Sequence, residues 1–338
     1  MLQRSRDPLT LAEPAEIAGS DAPLVATEEI PRCDVCGGEG RRVIASGYDY
    51  ELITCRNRWT YVQCEACGHV WLDPRPAVDA LDTIYPPTYY AYNYEQIPSV
   101  VRKGKEVLDS LKMRQILRYC DRTPQRYLDV GCGDGRYLEV LARRGVPRAG
   151  LYGLELDQRT VDRVRERGLQ AYCERVETCE RFGRDSLDLI TMFHVIEHVA
   201  SPRAVAERLA GWLRPGGVAA IETPNIDSLD ARLFRHGLWG GYHIPRHWHL
   251  FAPESFTRLF ESCGLEVETI RYQTGHSFWM YSFHHALRYR QPARRRLAHV
   301  FDPLDSVAPL IGFTGFDRLR AALGAKTSAM LLIARKPG

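Results

Sequence analysis

A glycine-rich turn followed by an acidic residue is the strongest chemical signal in the sequence. The run LDVGCGDG at 128–135 follows a strand-like segment and precedes a helical pattern. Glycines such as Gly131 and Gly133 let a backbone turn tightly and approach a ligand, and the helix N-terminus favours a negative group. Glu155 ends the next predicted strand, where a carboxylate can accept both hydroxyls of a ribose. A glycine turn without a ligand is the alternative, since the spacing is G-x-G-x-G rather than G-x-G-x-x-G.

Two cysteine pairs have the spacing of metal-binding knuckles. Cys33 and Cys36, and then Cys64 and Cys67, are each separated by two residues and followed by glycine. Such pairs place four thiolates within reach of one tetrahedral ion and leave no position open for water, so we predict a structural zinc site. Metal binding would supply folding energy to a module this small. Cys55 is either a replacement ligand or a small buried thiol.

A histidine-rich segment follows a predicted strand at 218–222. Within GYHIPRHWHLF at 241–251, three histidines accompany Arg246 and several aromatic residues. The segment leaves the carboxyl edge of a predicted sheet, which is where open α/β sheets bind ligands. Histidine exchanges a proton near neutral pH, so His247 and His243 are candidate catalytic residues and His249 is a weaker one. A role in packing or loop support is the alternative.

Alternating strands and helices position these motifs. Strand-like runs occur at 127–130, 151–156, 169–173, 187–193, 218–222, 265–272 and 329–334, and helical patterns at 135–144, 158–167, 202–213 and 253–263. This βα alternation predicts a parallel sheet covered by helices on both faces. The stretch between the last two strands is too long for a plain loop, so we expect a helical insertion there.

Length and composition limit the number of domains and the class of protein. The 338 residues are 45% hydrophobic and 26% charged, which excludes wholesale disorder and fibrous repeats. We divide the chain into a flexible tail (1–30), a zinc-binding module (31–77), a tyrosine-rich linker and helix (78–125) and an α/β domain (126–338). No apolar run is long enough to span a bilayer and no secretory signal is found, so we expect a cytoplasmic protein without a disulfide framework.

The basic residues concentrate near the C-terminus. Eleven Lys or Arg residues and only three Asp residues fall in 271–338, although the net charge is +3. A basic segment of this kind suits an anionic small molecule, a membrane surface or a nucleic acid. A solvated arginine-rich helix face is the alternative.

Several motifs together resemble class I S-adenosylmethionine-dependent methyltransferases. These are LDVGCGDG, GLELD, SLDLITMFHVIEHVASP, LRPGGVAAIETPN and the closing SAMLLIARK. The resemblance implies a Rossmann-like seven-stranded sheet whose last strand is reversed. It also implies a set of cofactor-binding residues: Asp129, Gly131 and Gly133 at the methionine end, Glu155 at the ribose, Glu174 on the adenine side, and Phe193 and His194 bordering the cofactor. The run HVIEH also matches an inverted zinc-peptidase motif, which we reject because it begins at the end of a buried strand.

The cysteine module and the methyltransferase motifs together resemble a bacterial group that includes deoxysugar C-methyltransferases. In that group a histidine precedes a similar aromatic segment, and its position corresponds to His247. The resemblance implies a methyltransferase acting on a sugar, a nucleotide-linked sugar or another natural-product intermediate. A zinc-containing RNA methyltransferase is one rival, although FHVIEH differs from the Asn/Asp-Pro-Pro-aromatic motif and argues against nucleic acid. A non-catalytic binding protein with the same fold is the other. The oligomeric state is left open.

Overall fold

The structure, a computed structural model, describes residues 13–86, 99–303 and 305–338. By internal packing the chain forms two compact units. Unit 1 comprises the N-terminal residues up to Pro86 together with Thr223–Phe256 and Arg271–Met330, and unit 2 comprises Pro87–Glu222, Thr257–Ile270 and Leu331–Gly338. Each unit is described separately below.

A seven-stranded sheet carries the glycine turn. Its strands are β6 (Tyr127–Val130), β7 (Leu151–Glu155), β8 (Gln170–Cys173), β9 (Leu187–Phe193), β10 (Leu213–Pro224), β12 (Glu266–Gln273) and β13 (Ala329–Arg335). They lie in the order β12-β13-β10-β9-β6-β7-β8. The central strands pair in parallel. β13 runs against β10, because the backbone of Gly216 and Gly217 pairs with Lys336 while Asn225 pairs with Ser328. The predicted mixed sheet with a reversed last strand is therefore confirmed.

Helices connect these strands as the sequence periodicity predicts. They are α3 (Ser99–Ile116), α4 (Arg136–Ala142), α5 (Gln158–Glu166), α6 (Pro202–Trp212) and α8 (Pro253–Ser262). Two of them begin with side-chain caps, since Asp157 accepts from Thr160 N and Ser201 accepts from Ala204 N, which satisfies backbone donors at the helix ends. Aliphatic side chains from α4, α5 and the strands fill the core of unit 2. The carboxyl ends of the parallel strands consequently form one edge, where the site residues lie.

The cysteine pairs lie next to a small antiparallel sheet in unit 1. It comprises β2 (Arg41–Gly47), β3 (Trp59–Cys64), β4 (Val70–Leu72) and β11 (His249–Leu250) in the order β11-β4-β3-β2. Through β11 the histidine-rich segment is thus part of the same sheet as the cysteine module. The sequence alone did not predict this pairing, because the two segments are far apart in the chain and the β11 strand contains two residues.

The structure of residues 13–30 differs from the predicted flexible tail. They contain α1 (Ala15–Ala18) and β1 (Thr27–Glu28), and β1 pairs with β5 (Arg75–Pro76). Ile17 is fully buried, and Ile30 receives a hydrogen bond from Trp71 Nε1 at its carbonyl. These are isolated contacts without apolar periodicity, so the sequence pattern could not reveal them. Residues 1–12 lie outside the described part of the chain.

The remaining helices fall mainly in unit 1. They are α2 (Leu81–Ile84), α7 (Leu229–Leu233), α9 (His276–His285) and α10 (Val307–Ala322), together with a π-helix at Ala286–Arg290 and a 3₁₀ helix at Pro292–Phe301. Short 3₁₀ turns occur at Val78–Ala80, Leu117–Tyr119, Arg148–Gly150 and Gly240–Tyr242. Among the described residues, no helix is both long enough and apolar enough to cross a bilayer.

The division into units departs from the predicted domain boundaries. Residues 223–256 and 271–330, which the sequence assigns to the methyltransferase domain, pack with the N-terminal module instead. The boundaries at residues 30, 77 and 125 remain a proposal. Residues 87–98, which contain most of the tyrosine-rich linker, lie outside the described residues.

Candidate functional site

The glycine turn joins β6 to α4 in a conformation that requires glycine. Gly131, Gly133 and Gly135 have φ values of +74°, +50° and +74°, in the left-handed region that disfavours side chains. A Cβ at Gly131 would lie 2.3 Å from a methyl carbon of Val195. A Cβ at Gly133 would have no neighbouring heavy atom within 4 Å. The turn therefore exposes backbone at Gly133 to a space that a ligand can enter.

Glu155 reaches this turn from the neighbouring strand. Its Oε2 accepts a hydrogen bond from Gly133 N at 3.0 Å, and its Oε1 accepts one from Leu156 N at 2.7 Å. β6 and β7 are parallel and adjacent, so the end of one strand lies beside the end of the other. The structure thus brings together two residues that the sequence predicted for one cofactor.

Asp129 is buried beneath the glycine turn, and one of its two carboxylate oxygens accepts a hydrogen bond. Its Oδ1 accepts a 2.7 Å hydrogen bond from the hydroxyl of Thr191, which also contacts the hydroxyl of Tyr127 at 2.6 Å. Its Oδ2 has no hydrogen-bond partner in the described part of the chain. Burial raises the pKa of this carboxyl to about 7, an effect that Thr191 and the charge of Arg136 only partly oppose. A buried acceptor of this kind fits a cationic ligand group.

Glu174 lies one strand further along the same edge. It follows β8, whose last residue Cys173 is in register with Glu155 on β7. Its carboxylate accepts a 2.7 Å hydrogen bond from Nε of Arg181, which lowers its pKa. The side chain is 30% exposed, so it can turn toward a ligand only by giving up this ion pair.

A charged cluster occupies the ends of β9 and β10. His194 lies 3.1 Å from Glu197 through Nδ1 and 3.3 Å from Glu222 through Nε2. Lys112 on α3 approaches the same Glu222 at 2.7 Å and stands 4.8 Å from the centre of the Phe193 ring. The predicted neighbours of the cofactor, Phe193 and His194, therefore belong to one cluster.

The charges in this cluster set its protonation. Burial alone would lower the pKa of His194, but the two carboxylates raise it to about 9. Burial would raise the pKa of Glu222, but the charges of Lys112 and His194 lower it to about 2. His194 is thus cationic at neutral pH and is not a ready general base. Because its side chain is 41% exposed, solvent screens part of this interaction.

Sequence reasoning assigned no site role to three members of this cluster, Lys112, Glu197 and Glu222. Glu222 ends a predicted strand, so its position at the carboxyl edge of the sheet could have identified it as a site residue. No sequence pattern could have identified Lys112, because only the packing of α3 brings it to the sheet. The HVIEH run forms a turn in which His194 has a φ of +56°. The two histidines are therefore not on one helix face, in agreement with rejection of the peptidase motif.

The four predicted cysteine ligands converge in unit 1. Cys33 and Cys67 have their sulfurs 3.5 Å apart, as do Cys36 and Cys64, and all four sulfurs lie within 4.8 Å of one another. These separations fit a tetrahedron with metal–sulfur bonds of about 2.3 Å. The hydrogen bond from Cys33 lowers the pKa of the Cys67 thiol to about 5. The cluster could hold a metal ion.

Cys55, the spare cysteine, is buried but outside this cluster. Burial raises its pKa to about 11, as expected for a thiol that packs in an apolar setting rather than reacting.

A buried ion pair fixes the histidine-rich segment. Arg246 donates to Oδ1 of Asp49 at 3.1 Å and to Oδ2 at 2.9 Å, and both side chains are fully buried. Arg246 also donates to the carbonyl oxygen of Ile84 at 2.8 Å. Burial would raise the pKa of Asp49, but Arg246 and Thr54 lower it. Arg246, which precedes the candidate base His247 in the sequence, is thus a structural residue.

The two candidate catalytic histidines have different partners. Nδ1 of His247 lies 2.8 Å from the carbonyl oxygen of Gly241, so this nitrogen carries the proton and the lone pair of the neutral ring is on Nε2. Nδ1 of His243 lies 2.7 Å from Glu51. Both histidines are 5% exposed. No sequence pattern indicates Glu51 as a partner of His243.

Comparison with known proteins defines the class of the chain. The model of a methyltransferase domain matches residues 102–270, half of the sequence. The chain therefore belongs to the methyltransferase domain family. The predicted enzyme class, an S-adenosylmethionine-dependent methyltransferase, is confirmed.

Known methyltransferases share moderate sequence identity with this chain. A ubiquinone biosynthesis O-methyltransferase of Neisseria meningitidis serogroup C (strain 053442) is 26% identical over 184 residues, covering 50% of this chain and 75% of that protein. Its counterpart in Aeromonas salmonicida (strain A449) is 32% identical over 156 residues, covering 42% and 63%. Among solved structures, a methyltransferase from Archaeoglobus fulgidus has a TM-score of 0.45 and 18% identity, covering 68% of this chain and 94% of its own.

Proposed function

We propose that this methyltransferase uses S-adenosylmethionine bound at the carboxyl edge of β6 and β7 to methylate a small-molecule acceptor. The observation that carries the proposal is the hydrogen bond between the open glycine turn and Glu155, together with the oxygen of buried Asp129 that has no hydrogen-bond partner among the described residues. The sulfonium supplies an activated methyl group. Asp129 would face the cationic methionine end, Glu155 would accept the ribose hydroxyls, and Glu174 would serve the adenine side.

A more specific part of this proposal is the chemical class of the methyl acceptor. The cysteine module combined with methyltransferase motifs favours a sugar, a nucleotide-linked sugar or another natural-product intermediate. The curated relatives are O-methyltransferases of ubiquinone biosynthesis, which makes oxygen methylation of an intermediate in ubiquinone biosynthesis the second candidate. Methyl transfer to each class in turn, with radiolabelled donor, separates the two.

His247 is the proposed general base, with His243 as the second candidate. The hydrogen bond to Gly241 directs the basic lone pair of His247 to Nε2, which can take a proton from an acceptor hydroxyl or carbon acid. His243 is engaged by Glu51, which holds a proton at Nδ1. A base within hydrogen-bond reach of its substrate contributes roughly 10²–10⁴ in rate.

The metal of the cysteine cluster is proposed to be zinc with a structural role. Four thiolates prefer zinc over harder ions such as magnesium, and a closed set of four leaves no coordination position for catalysis. The cluster joins the segment before β2 to the turn between β3 and β4. A bound ion would therefore hold the small sheet in one register.

The cofactor assignment is tested with Glu155→Ala. This variant removes the proposed acceptor for the ribose hydroxyls, so S-adenosylmethionine affinity measured by calorimetry should fall roughly tenfold or more, the loss expected for hydrogen bonds to a charged group. Glu166→Ala, an exposed carboxylate at the end of α5, is the matched control and should bind normally. Unchanged affinity in Glu155→Ala would remove Glu155 from the site.

A further inference from the structure

The outward face of α10 is apolar. Four aliphatic side chains of α10 and its C-cap are 61–77% exposed: Val307, Ile311, Leu319 and Leu323. Because each α-helical residue advances by about 100°, these four fall within one half of the helix surface. Phe316, at the margin of this face, is 42% exposed.

Two other side chains of α10, those of Asp317 and Phe313, point into the protein instead. Asp317 is fully buried and accepts hydrogen bonds from Trp279 Nε1 at 3.1 Å and Gly275 N at 2.9 Å. Phe313 stacks on Trp279 with ring centres 5.5 Å apart. A surface helix normally buries its aliphatic stripe and exposes its charges. On α10 the aliphatic stripe is exposed instead, and the contacts of Asp317 and Phe313 hold the helix in this orientation.

The preceding 3₁₀ helix, Pro292–Phe301, also exposes aliphatic side chains. A 3₁₀ helix has three residues per turn, so Arg294, Leu297 and Val300 line one side. Leu297 and Val300 are 52% and 51% exposed. The helix is anchored on another side by Phe301, whose ring stacks on that of Phe283 at 5.0 Å.

Four exposed arginines of this region have no acidic partner among the residues that the structure describes. Arg290, Arg294, Arg296 and Arg318 are exposed, and none of them forms an ion pair with any residue that the structure describes. By contrast, neighbouring Arg295 pairs with Glu16. The exposed residues of α10 include no Asp or Glu. The surface is therefore aliphatic and positively charged.

We propose that α10 and the 3₁₀ helix form a docking surface for an anionic lipid bilayer. Exposed aliphatic side chains beside unpaired arginines are the features of helices that lie in the bilayer interface, where the apolar face enters the acyl boundary and the cations meet lipid phosphates. A second copy of the chain fits less well, because a twofold interface would place one positive surface against itself. Nucleic acid would leave the aliphatic residues without a partner.

Sedimentation of the full chain with vesicles tests this. Binding is expected to vesicles of equal phosphatidylglycerol and phosphatidylcholine, and only weakly to phosphatidylcholine alone. Ile311→Asp combined with Leu319→Asp should weaken binding at least tenfold, because each buried aliphatic side chain contributes about a factor of ten. Leu24→Asp, which alters a 69% exposed leucine in the N-terminal segment, is the matched control and should bind like the parent.

The arginines give a second readout. Arg294→Ala with Arg296→Ala should lower affinity for anionic vesicles roughly fivefold per arginine, near 1 kcal/mol each, and should reduce the salt dependence. All variants should keep parental circular dichroism and S-adenosylmethionine affinity, so misfolding and failure of the proposed enzymatic function are recognised separately. Absence of vesicle binding by the parent, or equal binding by the two-aspartate variant, overturns the proposal. A dimer that this variant dissociates, without vesicle binding, assigns the face to a second copy.

Discussion

Replacing Asp49 by alanine should destabilise the protein severely. Arg246 would keep its charge in a fully buried position while losing the two donor contacts at 2.9 and 3.1 Å. Breaking a buried pair by removing one partner costs about 3–5 kcal/mol, because an uncompensated charge remains. The main-chain bonds from Leu52 and Thr54 to the same carboxylate are lost as well, so we expect the upper part of that range.

Urea unfolding followed by tryptophan fluorescence measures this loss. Glu39→Ala is the matched control, since it breaks an exposed pair with Arg32 whose side chains are 68% and 72% exposed, and it should cost at most about 1 kcal/mol. Asp49→Leu combined with Arg246→Met should recover much of the stability, because two apolar groups replace two charges. A loss below about 1 kcal/mol in Asp49→Ala would refute the reasoning, since it would mean that Arg246 remains hydrated.

The pH dependence of stability provides an independent check on this pair. The folded-state pKa of Asp49 is lowered from its ordinary value of 3.8, so its contribution is complete above that value and is lost as the pH falls through the folded pKa. The parent should therefore lose stability in acid, and Asp49→Asn should lose less of it over the same range. Parallel curves for the two proteins would contradict an ionised Asp49 in the folded state.

Three further predictions concern the cysteine cluster, Asp129 and His247. Cys64→Ser should lose the metal, detected by elemental analysis at about one ion per parent chain, whereas Cys55→Ser should retain it; the reverse result would move the ligand set. S-adenosylmethionine affinity should weaken roughly tenfold per pH unit below 7, because only ionised Asp129 suits a cation and its pKa is about 7; calorimetry of Asp129→Asn should give a flatter profile. His247→Ala should lower turnover 10²–10⁴-fold with nearly constant cofactor affinity; near-normal turnover would instead direct attention to His243→Ala.

Local sequence patterns were sufficient for the sheet and for the position of the glycine turn. The strands at 127–130 and 187–193 were predicted at the residues where they occur, because buried parallel strands are short apolar runs between glycine-rich turns. Gly133 and Glu155 follow or end adjacent parallel strands, so the geometry of the sheet brings them into contact; their role in binding a cofactor stays a prediction. The convergence of the four cysteines could also be predicted from the sequence, since two pairs of cysteines, each separated by two residues, are typical of a metal-binding site.

Tertiary structure alone decided which polar groups face one another. Asp49 and Arg246 are nearly two hundred residues apart, as are Glu51 and His243, and neither pair has a periodic signature. In the sequence Arg246 stands beside the candidate base His247, whereas the packing makes it a buried partner of Asp49. The orientation of α10 is likewise a tertiary outcome, since Trp279 and Asp317 fix which side turns inward. Local patterns report the period of burial along one element, but pairing between distant segments depends on how the whole chain packs.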